Sequence, residues 1–491
     1  MGDRATAIQF YNTGVTSASD RSKPEFLQHA FQQFSSAMYM DPTFATAAYQ
    51  CGNNGSDLGH LSAAIACWRR ALECEMPDTA PQDNTDASRA KVLCNLGWRL
   101  ESIGKTLEAL DVSQEAVSLD PELSFAWLNL SIIQGRLGLT DLAVTSARKA
   151  FALKPNDATV EMGLAFALLF NRNLAEGFKH FESRFRYRLH AFEKYPYPRW
   201  EGEPDKTIFL VSDQGLGDTL SMSRFLRATC KRARYVHACV HPELLKLLQY
   251  SLIDVANLNL LPQPCNFPAA EAWTTFVSLP FALGLTDDEI RNTPHIKYEA
   301  TRSNAKQWRV VDRTLHIGIA WRGSALNDID KWRSIPVEQF LDLYKVPGIQ
   351  LYSLQVDVNK QEMFDKGCAP LIKDLSGYIR TVDDTLSLLK DLDLVITCES
   401  ALGHICTLAR KECWVPYSWQ GRDWRIGHSG EDQIWSKYRI FPQDSSMLWE
   451  PVFDNIVKAL RDRQLGLHSE QGRLYACLSG CHTQTLRATR C

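Results

Sequence analysis

The first third of this 491-residue chain repeats itself at a spacing of 34 residues. Small residues and a proline recur at this interval: Gly104, Ala109, Ala116 and Pro121 return as Gly138, Ala143, Ala150 and Pro155, and Ala30 and Ala37 return as Ala64 and Ala71. Small side chains allow two helices to approach closely, and a proline ends one repeat and begins the next. The period therefore predicts a stack of helix hairpins, because one hairpin alone cannot bury its apolar face.

One longer step interrupts the period. Ala71 and Ala116 are 45 residues apart, one period plus eleven, and the polar stretch DTAPQDNTDAS is predicted to be the inserted loop. A 34-residue period with these small residues resembles the tetratricopeptide repeat. The resemblance implies a helical solenoid with a concave surface for extended partners, and an unrelated helical bundle is the alternative.

The helical part is predicted to occupy residues 1–190 and to end with NRNLAEGFKHFESRFRYR. Arginine and aromatic residues alternate from Arg184 to Arg188, a pattern that suits base stacking and phosphate pairing in nucleic-acid binding. The favoured interpretation is an amphipathic terminal helix that turns its phenylalanines inward, since the net charge of the chain is −3. The prolines of YPYPRWEGEP predict a stiff linker over 191–206.

From Thr207 the pattern changes to apolar strands that alternate with helices, in two successive halves. The first half, 207–305, contains the predicted strands TIFLV, YVHACV and TTFVSLP, and the second, 306–465, contains HIGIAW, IQLYSLQ, DLVIT and ECWVPYS. Each half resembles a Rossmann-like unit with a parallel sheet, which binds ligands at the carboxyl ends of its strands. Residues 466–491 are predicted to be a polar tail, and the fold class is an α solenoid followed by α/β.

The composition argues against several classes of protein. A net charge of −3 gives no bulk attraction to nucleic acid or to a membrane surface. No uninterrupted apolar run reaches the roughly 18 residues of a membrane span. Fourteen scattered cysteines, with no secretory signal before them, predict free thiols in a reducing cytoplasm.

Nine short stretches follow one another in a characteristic order over residues 174–425: AEGFKHFESRF, PRWEGEP, DQGLGDTLSMSRFL, VSLPFALG, GIAWRGS, RSIP, LYSLQ, DLVITCESALGHICTLA and DWR. In order and spacing they resemble tetratricopeptide-repeat proteins that carry a glycosyltransferase-B domain of the heptosyltransferase-like kind. The resemblance implies a nucleotide-sugar donor in a cleft between two Rossmann-like domains, with metal-independent, inverting transfer. It implies no cofactor besides the donor substrate.

Asp218 is the predicted general base. It follows the turn of Gly215 and Gly217, whose lack of side chains allows close backbone approach to an acceptor. An acceptor hydroxyl is a weak nucleophile until a carboxylate removes its proton, and in the resembled family the corresponding aspartate is the proposed base. The alternative is that Asp218 only caps the following helix.

The donor diphosphate is predicted to bind where a helix begins after the strand DLVIT. Backbone N–H groups of Ser400 and Ala401, the Ser400 hydroxyl and the His404 imidazole are the candidate donors of hydrogen bonds to phosphate. Glu399 stands where the resembled family usually has aspartate. The alternative for His404 is a core histidine between sheet and helix.

Lys331 and Arg333, beside RSIP, are the predicted phosphate cations, and surface exposure is their alternative. Metal-dependent glycosyltransferases use an Asp-x-Asp pair, and the chain has DID at 328–330 and DLD at 391–393. The first is interpreted as a solvated turn. The second leads directly into a strand, so it lies at the amino end of that strand and not at the carboxyl end, where ligands bind. No metal is therefore predicted.

Four further residues lie in the matching stretches near strand ends. Gln355 is predicted to read the donor base, and Trp321 or Trp424 to pack on the sugar or base, with Arg425 beside them. Arg322 replaces the small residue that is common in the resembled family, which would narrow the donor pocket.

The function predicted from the sequence is a cytoplasmic glycosyltransferase that modifies a macromolecule recruited by the repeats, and a polypeptide is the favoured acceptor. Two alternatives stay open. One is a repeat scaffold with a catalytically silent transferase fold, because Glu399 departs from the aspartate that is usual in the resembled family. The other is a DNA-modifying glycosyltransferase, supported only by the arginine-aromatic stretch and by RFLRATCKRAR.

Overall fold

A computed structural model describes residues 3–19, 23–79, 87–187, 192–298, 315–324, 330–430 and 433–464. Their contacts divide the chain into two compact units. The helical unit takes Met1–Pro196 and two later segments, Pro280–Arg291 and Trp424–Glu431. The α/β unit takes Tyr197–Leu279, Asn292–Asp423 and Asp432–Cys491.

Consecutive helices of the first unit pack as hairpins, as the period predicts. The helices are α1 Arg4–Ser17, α2 Pro24–Met40, α3 Ala45–Asp57, α4 Leu61–Leu72, α5 Arg89–Ser102, α6 Thr106–Leu119, α7 Ser124–Arg136, α8 Thr140–Leu153, α9 Ala158–Phe170, α10 Leu174–Phe181 and the short α11 Arg184–Tyr187. Among the described helices, none has both the length and the apolar character that crossing a membrane requires.

The recurring alanines lie in the second helix of each hairpin and are buried. Ala37, Ala71, Ala116 and Ala150 have no exposed surface. Their small size lets the partner helix come close, which is the physical reason for the 34-residue spacing. The helical-repeat prediction is confirmed, whereas residues 80–86 of the predicted inserted loop lie outside the described residues.

The turns within the hairpins require a left-handed backbone. Gly59, Gly104 and Gly138 occupy equivalent positions between the two helices of a hairpin and have φ of +80°, +79° and +78°. Only glycine adopts this conformation without strain from a Cβ. Arg172 stands at the next equivalent position, with φ of +70°.

The arginine-aromatic stretch is engaged inside the helical unit. The side chain of Arg184 is buried, and its guanidinium lies 5.0 Å from the ring centre of Phe181 and 4.2 Å from that of Phe185. It also pairs with Glu182 at 2.6 Å. This arrangement agrees with the amphipathic-helix interpretation, and Arg188 lies outside the described residues.

The first sheet of the α/β unit is parallel and has the strand order β3-β2-β1-β4. Its strands are β1 Thr207–Val211, β2 Tyr235–Val240, β3 Leu258–Pro262 and β4 Ala272–Thr275, connected by helices α12 Leu216–Met222, α13 Leu226–Arg232 and α14 Pro242–Ser251. The third predicted strand, TTFVSLP, is strand only to Thr275 and continues as a 3-10 turn, Phe276–Ser278, and helix α15, Leu279–Ala282. Helix α16, Asp287–Asn292, follows.

Part of the predicted linker belongs to this sheet instead. Arg199 forms a parallel bridge with Trp273 of β4, and the amide of Trp200 donates to the Trp273 carbonyl at 2.8 Å. Trp200 is completely buried. Burial of this large apolar side chain explains why the chain from residue 197 onward groups with the α/β unit although the stretch is rich in proline.

The second sheet is also parallel, with the order β10-β9-β8-β5-β6-β7. Its strands are β5 Leu315–Ala320, β6 Ile349–Ser353, β7 Ile372–Asp374, β8 Leu394–Thr397, β9 Cys413–Tyr417 and β10 Arg439–Pro442. The helices are α17 Asp330–Arg333, α18 Gln361–Asp365, α19 Val382–Asp391, α20 Ala401–Leu408 and a C-terminal helix α21 over 450–464, and Val337–Lys345 is a 3-10 segment. Residues 299–314, which precede β5, lie outside the described part.

The segment 280–291 caps a helix of the last hairpin. The amide of Ala175, in the first turn of α10, donates to Asp287 Oδ1 at 2.6 Å, while the N-cap residue Asn173 forms no side-chain cap bond. We expect Asp287→Ala to lower the melting temperature of the protein by about 2–4 °C, the effect of losing one cap.

Asp288→Ala is the matched control, because Asp288 is the exposed neighbour in the same helix turn. Thermal unfolding followed by circular dichroism measures both variants. Equal melting temperatures for the two variants would contradict a capping role of Asp287.

Candidate functional site

Two helices that follow strand ends in different sheets touch each other directly. Helix α12 begins after β1, and helix α20 begins after β8. A Cβ placed on Gly217 would lie 2.7 Å from His404 Cδ2 and 3.2 Å from the Cα of Ala401. Gly217 is therefore needed for the close approach of the two helices, and the predicted base and the predicted phosphate site are neighbours.

Asp218 is the third residue of α12 and is half-buried. Gly215 is the N-cap residue, so Asp218 does not hold the N-cap position that the simplest structural alternative gives it. Its Oδ2 lies 3.4 Å from the place where a Cβ of Gly215 would stand. The carboxylate of Asp218 therefore lies close to the turn at Gly215, at the carboxyl end of β1.

Three side-chain or backbone contacts hold the turn that precedes Asp218. The amide of Ser212 donates to the carbonyl of Cys239 at 3.1 Å, and Gln263 Nε2 donates to the Ser212 carbonyl at 2.8 Å. His241 Nε2 lies 3.0 Å from the carbonyl of Gln214. The sequence analysis did not single out Gln263 and His241, although each lies at the carboxyl end of a strand.

Ser400 and Glu399 occupy the loop that leads into α20. Ser400 is its N-cap residue, and the Ser400 hydroxyl lies 3.3 Å from Thr397 Oγ1. Glu399 is half-buried. Burial holds the pKa of the Tyr417 phenol well above its ordinary value, and the nearby Glu399 carboxylate acts in the same direction. The negative charge of Glu399 therefore acts electrostatically on Tyr417, the last residue of β9.

Asp330 and Arg333 form a buried ion pair after β5, at the carboxyl-end edge of the second sheet. Asp330 Oδ1 accepts from the Gly323 amide at 2.9 Å and from Arg333 Nε at 3.2 Å. The expectation of a solvated turn is therefore wrong for Asp330, whose carboxylate folds the loop after β5. Asp328 lies outside the described residues.

Arg333 and Lys331 have different surroundings. Burial raises the pKa of the Cys398 thiol, at the end of β8, to about 12, and the positive charge of Arg333 opposes this rise. Arg333 packs against Gly323, just after β5, because its guanidinium occupies the space that a Cβ on Gly323 would need. Lys331 is exposed, and its Nζ lies 5.0 Å from the ring centre of Trp332.

Trp321 and Gln355 are buried at the carboxyl ends of β5 and β6. Trp321 is completely buried in the core of the second sheet. Gln355 is also buried, and its Oε1 accepts from the amides of Trp321 and Arg322, each at 3.1 Å. In this structure the amide of Gln355 joins the ends of β5 and β6, and the indole of Trp321 faces core residues. Arg322 pairs with Glu362 at 2.5 Å.

Trp424 and Arg425 group with the helical unit. The ring of Trp424 packs edge-to-face on Phe178 of α10 at a centroid distance of 5.6 Å. The guanidinium of Arg425 lies 5.0 Å from the centre of the Trp424 ring. The structure thus engages the Trp424 ring with the last hairpin and with Arg425, and the preceding Asp423 belongs to the α/β unit.

A cluster around the buried side chain of Arg224 was missed from the sequence. Arg224 Nη2 donates to Nδ1 of His295 at 2.8 Å, and the Arg224 guanidinium lies 4.1 Å from the ring centre of Trp435. Nε2 of His295 donates to the Trp435 carbonyl at 2.9 Å. Burial, with the charge of Arg224 and then of His404, lowers the pKa of His295 to about 4. His295 is therefore neutral near pH 7, and the location of Arg224 in DTLSMSRFL was the available signal.

Comparisons with known proteins give distant relatives. No protein-family model matches the chain. Protein FlbA of Caulobacter vibrioides is 24% identical over 441 residues, which cover 83% of this chain and 71% of FlbA. The probable UDP-N-acetylglucosamine–peptide N-acetylglucosaminyltransferase SPINDLY of Hordeum vulgare is 28% identical over 128 residues, which cover 26% of this chain and 13% of SPINDLY.

Two solved structures overlap with about two fifths of the chain. MamA from Desulfovibrio magneticus RS-1 has a TM-score of 0.31 and 18% identity, over 40% of this chain and 99% of that one. YrrB, a TPR protein, has a TM-score of 0.29 and 19% identity, over 38% of this chain and 91% of its own. These overlaps are too loose to support any conclusion about the site.

The contact between α12 and α20 can be tested with a glycine pair. We expect Gly217→Ala to destabilise the α/β unit by about 1–3 kcal/mol, because the new methyl group overlaps His404 and the backbone of Ala401. Chemical denaturation, followed by tryptophan fluorescence, measures the loss.

Gly215→Ala is the control two residues away. Its φ is −64°, and its added Cβ would meet only Asp218 Oδ2 at 3.4 Å, which is ordinary contact. Equal stability of the two variants would show that α12 and α20 do not approach as closely as described.

Proposed function

We propose that the protein is a glycosyltransferase that moves a sugar from a nucleotide-sugar to a polypeptide acceptor. The observation that carries the proposal is the direct contact of α12 with α20, which brings Asp218 close to Ser400, Ala401 and His404. These residues come from the carboxyl ends of two parallel sheets, the edge where open α/β sheets bind their ligands.

The donor half suits a diphosphate leaving group. The first-turn N–H groups of an α-helix have no partner within the helix and attract anions, so the start of α20 is the proposed phosphate site. His404 lies one turn further along, and the Arg333 guanidinium lies beside Gly323, just after β5, the strand that neighbours β8. These groups would stabilise the negative charge that develops on the leaving diphosphate, so the proposed transfer does not require a metal.

Asp218 is the proposed general base on the acceptor side. In this reaction its carboxylate takes the proton of the acceptor hydroxyl while the acceptor oxygen bonds to the anomeric carbon. The bond from that carbon to the diphosphate oxygen breaks at the same time, and the nucleoside diphosphate leaves with the electron pair. Attack from the face opposite the leaving group inverts the anomeric centre.

The name of one relative supports the choice of reaction and acceptor. SPINDLY is named as a probable transferase from UDP-N-acetylglucosamine to peptide, and this chain resembles a limited part of it. A UDP-sugar donor and a polypeptide acceptor are therefore the first substrates to test.

The first helices of three hairpins carry an apolar stripe that suits such an acceptor. Trp98, Ile132 and Phe166 occupy equivalent positions of α5, α7 and α9, each 34 residues from the next. Trp98 is 41% exposed and Phe166 is 42% exposed. Ile132, between them in sequence, is half-buried against the core. Exposed large apolar side chains are typical of protein-binding surfaces. We propose that Trp98 and Phe166, here called the aromatic stripe, bind an extended segment of the acceptor.

Replacement of the base is the decisive test of catalysis. We expect Asp218→Asn to reduce transfer from a UDP-sugar to protein acceptors by about 10² to 10⁴, because the acceptor proton loses its base. UDP binding, measured by calorimetry, should be retained, because the amide leaves the start of α20 unchanged.

Glu243→Gln is the matched control, since Glu243 is an exposed first-turn acid of α14. Both proteins are assayed with and without EDTA, which should leave binding and transfer unchanged. Transfer by Asp218→Asn within threefold of the unaltered protein would remove Asp218 from the mechanism. Absence of any nucleotide binding would favour the catalytically silent scaffold.

The aromatic stripe is tested separately from the chemistry. We expect the double variant Trp98→Ala, Phe166→Ala to raise the KM for protein acceptors by about tenfold or more, because buried aromatics dominate protein interfaces. Hydrolysis of the donor in the absence of acceptor should not change. Tyr39→Ala is the control, as Tyr39 is 83% exposed but lies in the second helix of its hairpin. An unchanged KM in the double variant would mean that the acceptor binds elsewhere.

A further inference from the structure

The turn of the last hairpin breaks the glycine pattern of the repeats. Gly59, Gly104 and Gly138 precede it at equivalent positions, and Arg172 takes the fourth position with the same left-handed backbone. A residue with a Cβ is disfavoured in this conformation, and a favourable interaction of the arginine side chain would offset that steric cost.

The side chain of Arg172 supplies that interaction. Its Nη1 donates to the backbone carbonyl of Trp424, about 250 residues later in the chain. Its guanidinium also covers Gly427, where an added Cβ would lie 2.5 Å from Nη2. Gly427 has φ of +81°, so the backbone is folded tightly against the arginine.

The preceding hairpin turn contacts the same segment. A Cβ on Gly138 would lie 2.8 Å from Cδ2 of His428, so the imidazole rests directly on this glycine. Between these two contacts, the side chains of Trp424 and Ile426 are buried. Successive hairpin turns, together with Phe178 of α10, thus hold residues 424–428 within the helical unit.

We propose that Arg172 is a latch through which the helical repeats bind and order the segment 424–430. Arg172 takes the place of the usual turn glycine because its guanidinium can donate a hydrogen bond to the Trp424 carbonyl, which a glycine cannot do. The segment starts directly after Asp423, whose amide donates to the hydroxyl of Tyr417 at the end of β9 at 2.8 Å. The ordered conformation of Trp424 and Arg425 therefore depends on the last hairpin. This inference is independent of the proposed enzymatic activity.

Hydrogen exchange of the full-length protein tests the latch. Arg172→Gly installs the residue that the three preceding turns already have, so the hairpin keeps its conformation while the latch is lost. We expect amides in 424–430 to exchange at least about tenfold faster, in line with the loss of a charge-assisted hydrogen bond. Exchange in α5 to α8 should not change.

Two further variants separate the latch from turn strain. Arg172→Ala keeps the strained turn without the guanidinium and should accelerate exchange in 424–430 as Arg172→Gly does. Gly59→Arg adds an arginine to a turn where no atom lies within 4 Å of the new Cβ, and should leave 424–430 unaffected. Unchanged exchange of 424–430 in Arg172→Gly, or a general loss of protection across α5 to α8, would overturn the proposal.

Discussion

The α/β unit depends on the contact between a glycine and a histidine. Gly217 has no side chain, and the ring of His404 and the backbone of Ala401 occupy the space that a Cβ would need. This contact allows α12, from the first sheet, to lie against α20, from the second. It brings the predicted base close to the predicted phosphate-binding helix start, although the two belong to halves of the fold that are separate in sequence.

Buried polar groups then fix the backbone around this contact. Asp330 ties the loop after β5 to Arg333, and Gln355 joins the ends of β5 and β6. Arg224 and the neutral His295 form a third group beside His404. Buried polar side chains with satisfied hydrogen bonds hold loops more rigidly than apolar contacts alone, which suits a site where charged groups must face a ligand at fixed distances.

The strands that the sequence analysis found differ from those it missed. Thr207–Val211 and Leu394–Thr397 lie inside their sheets and are buried on both faces, so they read as continuous apolar runs. The missed strands, Leu258–Pro262, Ile372–Asp374 and Arg439–Pro442, are all edge strands with partly exposed residues. These three edge strands lack the uninterrupted apolar signal, and their exposure makes their sequences resemble loops, whereas the edge strand β4 is fully buried and was predicted.

The helix hairpins and most of the parallel strands could be predicted from the sequence, because the 34-residue period and the apolar runs are local consequences of burial. Asp218 and Ser400 could also be placed at helix starts, since strand, turn and helix follow one another along the chain. The contact of Gly217 with His404 and the contact of Arg172 with the segment after Asp423 could be found only in the folded chain. Those contacts join residues about 190 and 250 positions apart, and no periodicity along a chain records which distant side chains fill the same space.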